Sequence, residues 1–274
     1  MDGTFLNPQK QVTDESWAML DELARRGIEF VPCTGRPLSG IFGDILAHPA
    51  VHYAVCANGA TVAQLDAAEP ADTSKATSIM FNPLSREAAH AVRELARPHD
   101  VTFDIFADGY CYLERSMYER LDEFNGGDPA IGTSLKKTRT PVDEDADATI
   151  DRVERLERVA MYWHDPADRD AIRAKLTQVA DIEITRSYPM NIEVMGAGTS
   201  KGSALSWLCG HLGVPIAEAV AFGDNINDIP MLEAAGTGIA MKNAEPEDIA
   251  AADKLTVFDF SESGVARTVM QLLV

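Results

Sequence analysis

Three short apolar runs constrain this chain more than anything else in it. "FVPCTG" at residues 30–35, "AVCANG" at 54–59 and "AVAFGD" at 219–224 each stop abruptly on small polar residues. Such a run, bounded by Gly and polar side chains, reads as a buried strand closing on a turn. Ahead of the first run, "ESWAMLDELARRG" puts Trp17, Leu20 and Leu23 on one helical face and ends at Gly27, as a helix returning to a strand does. Alternating strands and helices imply a parallel sheet, whose ligand crevice lies at the carboxyl ends of the strands. The polar residues that end each run are therefore the first candidates for chemistry.

Between 81 and 188 the pattern changes. "REAAHAVRELARPH" is helical, "VTFDIFADGYCYLE" reads as a hairpin turning near Asp108-Gly109, and "RVAMYWH", "DRDAIRAKLTQVA" and "DIEITRS" read as strand, helix, strand. The expected organisation is a doubly wound α/β core over 1–80 and 189–274, with an α+β domain inserted over 81–188. The acidic stretch "VDEDADATIDRVERLER" inside the insert reads as a solvated loop and helix face.

Charge excludes some partners. With Lys+Arg 24 against Asp+Glu 43, a net charge of -19 repels nucleic acid and anionic membrane surfaces, so neither is an expected partner. A small anionic substrate would need a locally cationic pocket. No stretch approaches the ~18 apolar residues of a membrane span. Cys33, Cys56, Cys111 and Cys209 lie far apart with no C-x-x-C pair, which fits free thiols in a reducing compartment, so the expected location is the cytoplasm. Oligomeric state is not readable from these features.

Four groups sit where the crevice should be: Asp2-Gly3-Thr4, Thr34-Gly35-Arg36-Pro37, Lys201, and "GDNINDIPML" from 223 to 232. Together with "CANGA", "GTSKGSAL", "GIAMKNA" and "SESGVA", they resemble the haloacid dehalogenase superfamily, most closely its Cof-like phosphatases. The resemblance covers nearly the whole chain. It implies a Rossmann-like parallel sheet with an inserted cap, and Mg²⁺-dependent hydrolysis of phosphomonoesters through an aspartyl phosphate.

The family's first motif is D-x-D-G-T, in which the leading Asp attacks phosphorus and the second is general acid and base. Here Met1 stands at x and Asp2 at the second carboxylate, so the nucleophile, and the core strand that would carry it, are expected before Met1. By the same resemblance Mg²⁺ would be held by the nucleophile, the Asp2 carbonyl and Asp224, with Asp228 helping directly or through water. Lys201 would bridge nucleophile and phosphoryl group, and Thr34, the Gly35 amide, Arg36 and Asn227 would contact phosphate. A dianionic phosphomonoester accepts an attacking carboxylate only when other charges neutralise its oxygens, which is why these residue types are wanted.

Each residue also has a plainer role open to it. Asp224, Asn227 and Asp228 precede an apolar helix and could simply cap it. Thr34-Gly35-Arg36-Pro37 could be an ordinary strand-ending turn, Arg36 could pair with a surface carboxylate, and Asn58-Gly59 reads as a tight turn. Lys201 differs, because a lysine in the first turn of a helix opposes the helix dipole at a cost of ~0.3–1 kcal/mol. In the insert, Tyr110, Tyr162, Trp163, His164 and Tyr188 are read mostly as core, with a few free to touch substrate.

The leading expectation is a phosphatase acting on a small phosphorylated metabolite, a sugar phosphate or a phosphorylated cofactor, impaired in these 274 residues because the nucleophile is absent. A non-catalytic phosphate-ligand binding or regulatory protein, and a phosphotransferase or phosphomutase on the same scaffold, remain open.

Overall fold

The computed structural model describes residues 1–124 and 129–274. The chain divides into two compact units: Met1–Thr34, Phe42–Ile79 and Ser200–Val274 form the first, and Gly35–Ile41 with Met80–Thr199 the second.

In the first unit, Val220–Gly223 pairs in parallel with Thr237–Ala240, which pairs in parallel with Lys254–Leu255. The helices Ile229–Ala234 and Pro246–Ala251 make the crossovers that parallel neighbours require. A second sheet is built on the hairpin Tyr53–Cys56 and Thr61–Gln64, with Thr77–Phe81 as its third strand. The core strands thus form two three-stranded sheets rather than one continuous sheet.

The run ending at Thr34 differs from the strand expected of it. It makes one parallel bridge, Cys33 opposite Val55, with Thr34 N–H donating to the Val55 carbonyl and Val55 N–H to the Pro32 carbonyl, both at 2.9 Å. The next rung would need an N–H at residue 32, and proline has none.

The helix Asp14–Arg26 forms as its sequence dictates. The Thr13 hydroxyl caps it by accepting from Ser16 N–H, Asp14 and Glu15 face its positive end, and Gly27 closes it at φ 67°. Met19, Leu20 and Leu23 are its buried stripe.

The second unit holds a six-stranded sheet in the order Thr140–Val142, Tyr110–Glu114, Asp104–Ala107, Leu156–Tyr162, Asn191–Gly196, Ile182–Thr185. Only the first of these pairings is parallel. Asp108 and Gly109 turn the expected hairpin, both with positive φ (55° and 79°), as a two-residue connection favours. Alternation along the strands gives the sheet two faces. Ile105, Val159, Met161, Ile192 and Val194 pack in one cluster with the helices Arg86–Ala96, Ala146–Arg152 and Pro166–Leu176. Phe106, Cys111, Leu113, Ala160 and Tyr162 pack in the other with Leu121, Phe124 and Leu135.

Two sequence expectations change here. The strand Asn191–Gly196 lies beyond the boundary drawn at 188/189 but pairs with Leu156–Tyr162, so the division between units falls at Thr199/Ser200. The stretch 142–158 is not solvent-facing throughout, because Glu157 and Arg158 at its end are each 2% exposed on a central strand.

Candidate active site

The strand Val220–Gly223 delivers Asp224 at its carboxyl end, and a tight turn at Ile226–Asp228 leads straight into the helix Ile229–Ala234. Asp228 folds back inside this turn, where its Oδ2 accepts from the amides of Asp224 at 3.1 Å and Asn225 at 3.3 Å. Its other oxygen accepts from Lys201 Nζ at 2.6 Å, with both side chains buried. One carboxylate therefore both closes the turn and pairs with Lys201. Three donors on Asp228 leave it less free than Asp224 to face a cation.

Lys201 is the first residue of the helix Lys201–Leu212, whose N-cap Ser200 exchanges hydrogen bonds with Ser203 in a capping box. Burial works against its charge, but Asp228, by charge and by hydrogen bond, together with other neighbours including Asp224, holds the ammonium above its ordinary value. The cation at a positive helix end is thus retained by a specific partner.

Asp224 is in the opposite position. Burial, and then the charge of Asp228, push its carboxyl up to about 6. It accepts a hydrogen bond from the Thr4 hydroxyl. Gly3 passes directly beneath it: a Cβ there would lie 2.2 Å from Asp224 Oδ2, and the residue has φ +71°, so glycine is required twice over. Asn243 Nδ2 fixes the same turn by donating to the Gly3 carbonyl at 2.8 Å.

The remaining candidates divide. Thr34 is buried, its carbonyl accepts from Asn58 N–H at 3.1 Å, and Asn58 Oδ1 accepts from Asn227 Nδ2 at 3.0 Å. One buried asparagine thereby ties the first apolar run to the acidic turn. Asn58 reaches this place through a left-handed conformation (φ 58°), and Gly59 passes so close to the Ser200 carbonyl that a Cβ would sit 2.2 Å from it. Asp2 is partly exposed, with its carboxylate 2.8 Å from Lys10 Nζ. Gly35 and Arg36 belong to the second unit, where the Gly35 carbonyl accepts from Arg158 and Arg36 donates to the Gly40 carbonyl at 2.9 Å.

Two groups near this centre, one buried and one partly buried, gave no sequence signal. Asp248, on the short helix Pro246–Ala251, is fully buried with both oxygens unpartnered, and burial followed by the charges of Asp228 and Asp224 pushes it up to about 8. Burial pushes the Cys33 thiol up to about 12, which makes it unreactive. Of the five aromatic candidates in the insert, Trp163 and Tyr162 are core, Tyr110 is exposed, and His164 meets the Glu123 carbonyl at 3.2 Å.

Among the described residues, no group of three or more His, Cys, Asp or Glu side chains is placed to hold a metal ion. The site nonetheless fits a hard cation: its donors are oxygens, and after burial it is the nearby Asp228 charge that raises Asp224, so two carboxylates share the centre.

The haloacid dehalogenase-like hydrolase profile matches residues 1–269. The chain belongs to the haloacid dehalogenase-like hydrolases. It is 26% identical over 307 residues to phosphatase YwpJ of Bacillus subtilis, covering 100% of this chain and 98% of that protein. It is 25% identical over 274 residues to pyridoxal phosphate phosphatase YbhA of Escherichia coli, covering 100% and 97%. A solved haloacid dehalogenase-like hydrolase from B. subtilis shares the fold with a TM-score of 0.82 at 24% identity, over 99% of this chain and 97% of that one. The phosphatase resemblance and the α/β class read from the sequence are borne out. In keeping with the sequence, no helix among the described residues is long and apolar enough to cross a membrane.

Proposed function

We propose that this hydrolase cleaves small phosphomonoesters with Mg²⁺ through an aspartyl phosphate, in the cytoplasm. The observation that carries the reading is the buried Lys201–Asp228 pair at 2.6 Å in the same cluster as Asp224, whose carboxyl is held up by burial and by Asp228. This is a desolvated cradle with fixed charges of both signs, in which electrostatic stabilisation of a phosphoryl group is strongest.

Asp224 and the Asp2 carbonyl would hold Mg²⁺, with Asp228 acting through water. The bound cation would neutralise phosphate oxygens. Lys201 Nζ would neutralise a further oxygen and, tethered to Asp228, stay charged while doing so. Thr34 and Asn227, along with the Gly35 amide and Arg36, would hydrogen-bond the phosphate. By the family's D-x-D-G-T pattern, of which Met1-Asp2-Gly3-Thr4 supplies the last four positions, the acceptor would be the carboxylate of the pattern's first position. Asp2 would donate its proton to the leaving alcohol and then take one from the attacking water.

The relatives support the substrate class, since pyridoxal phosphate is a small phosphorylated cofactor. The test is a phosphate-release panel of sugar phosphates, pyridoxal phosphate and p-nitrophenyl phosphate. It uses a version in which an apolar strand ending in Asp precedes Met1, with Mg²⁺ or with EDTA. Mg²⁺-dependent release is expected. Tight binding of these esters without release would favour a non-catalytic phosphate-binding protein, and transfer of phosphate to an added alcohol a phosphotransferase.

A further inference from the structure

Arg158 lies at the end of a stretch whose charge pattern reads as solvent-facing, yet it is almost completely buried. Its guanidinium carbon lies 3.5 Å from the centroid of the Phe106 ring, and Nη1 is 3.1 Å from Glu193 Oε1. Nη2 donates to the Gly35 carbonyl at 2.5 Å. Glu193 is fixed in turn, accepting from the Ser187 hydroxyl at 2.9 Å and from Asn191 Nδ2 at 3.2 Å. Asn191 Oδ1 accepts from the backbone N–H groups of Ser187 and Tyr188, both at 3.1 Å. All of these residues belong to the second unit.

A buried ion pair is seldom the most stable filling for its space, since apolar side chains of similar volume often do as well. The retained charge here has a definite recipient. Gly35 has no side chain with which to anchor itself, so the direction of its peptide must be set from outside. The rest of its segment is tied down too, through Ser39 N–H to the Gly109 carbonyl at 3.0 Å and Arg36 Nη1 to the Gly40 carbonyl. Arg158 is the partner that reaches the residue next to Thr34.

We propose that Arg158 is a positioning residue for the phosphate-binding turn: its grip on the Gly35 carbonyl fixes the Gly35–Arg36 peptide, and so the aim of the Arg36 N–H and the point from which the Arg36 side chain projects. Phe106 sets the plane of the guanidinium and Glu193 its rotation. The proposal rests on the reading of Gly35 and Arg36 as phosphate contacts. A lysine at 158 keeps the charge but lacks the planar fork, so it cannot serve Glu193 and Gly35 together.

The test compares Arg158→Met, Arg158→Lys and Glu193→Gln in the full chain by two measurements: amide hydrogen exchange over residues 35–41, and calorimetric binding of inorganic phosphate with Mg²⁺. Arg158→Met should speed exchange in this segment and weaken phosphate binding about tenfold, as loss of a hydrogen bond from a charged donor does. Mg²⁺ affinity should not change, and Arg158→Lys should recover part of the phosphate affinity. Should Arg158→Met fail to fold, Arg158→Lys and Glu193→Gln decide, each with a smaller effect in the same direction. Unchanged exchange and unchanged phosphate affinity in the folded variants would overturn the proposal. Faster exchange in the variants, with a parent chain that itself binds no phosphate, would also overturn it, and would place the fault in the functional reading rather than in the grip.

Discussion

Lys201 Nζ lies 2.6 Å from Asp228 Oδ1 in a pocket where both side chains are buried. Removing one partner leaves the other charged and unpaired. Lys201→Met should therefore lower unfolding stability by about 3–5 kcal/mol, and Lys201→Met with Asp228→Asn should lose clearly less than the sum of the two single changes. Urea unfolding of the three variants checks this; simple additivity would show that the pair is not coupled.

Asp224 should make stability and cation binding depend on pH in opposite senses. Its folded value, about 6, lies above the ordinary 3.8, so its stabilising contribution is complete below about 3.8 and is lost as pH rises through 6. Asp224→Asn should remove that loss, so the variant gains on the parent between pH 4 and pH 7 in thermal scans. As the proposed Mg²⁺ ligand, Asp224 would have to lose its proton on binding, so parental Mg²⁺ affinity should rise over the same interval. A parent and variant that stay parallel across this range would contradict the assignment.

Asp248 should be the most removable charge in the molecule. Fully buried, unpartnered and held up to about 8, it stabilises the fold only while protonated, and that contribution fades as pH rises from about 3.8 through 8. Asp248→Asn is expected to melt above the parent at pH 9, with a smaller difference at pH 5. Equal melting temperatures at both pH values would mean that the carboxyl finds a partner in solution.

Much of this site is legible in the sequence because its parts are local. A strand, Gly-Asp, Asn-Asp three residues on and an apolar helix announce the acidic turn, and a lysine straight after an N-cap serine announces Lys201. The links between parts are not legible. Asn58 reads as a turn residue, and only folding brings it to Asn227 across 169 positions. Glu157 and Arg158 sit in a run of charges whose composition predicts solvent, and their burial follows from the sheet neighbours, which composition does not encode. At 30–34 the apolar run signals a strand, but Pro32 removes the rung that would make it one.

Cation binding separates the two halves of the first motif. A version with an apolar strand and Asp before Met1 should bind Mg²⁺ more tightly than the 274-residue chain, because it adds an anionic ligand, and Asp224→Ala should abolish binding in both. Equal calorimetric affinities with and without the added Asp would show that this carboxylate is not a ligand.

The most direct test of the account is phosphate release from p-nitrophenyl phosphate by the version carrying D-M-D-G-T, measured against its Asp2→Asn variant with Mg²⁺ and with EDTA. In the proposed mechanism nucleophile, Lys201 and metal would act as a unit, so turnover should require Mg²⁺. Asp2→Asn should then reduce it by about 100-fold or more, since no group remains to protonate the alcohol or to activate water. Release that persists in EDTA, or that survives Asp2→Asn unchanged, would contradict the mechanism.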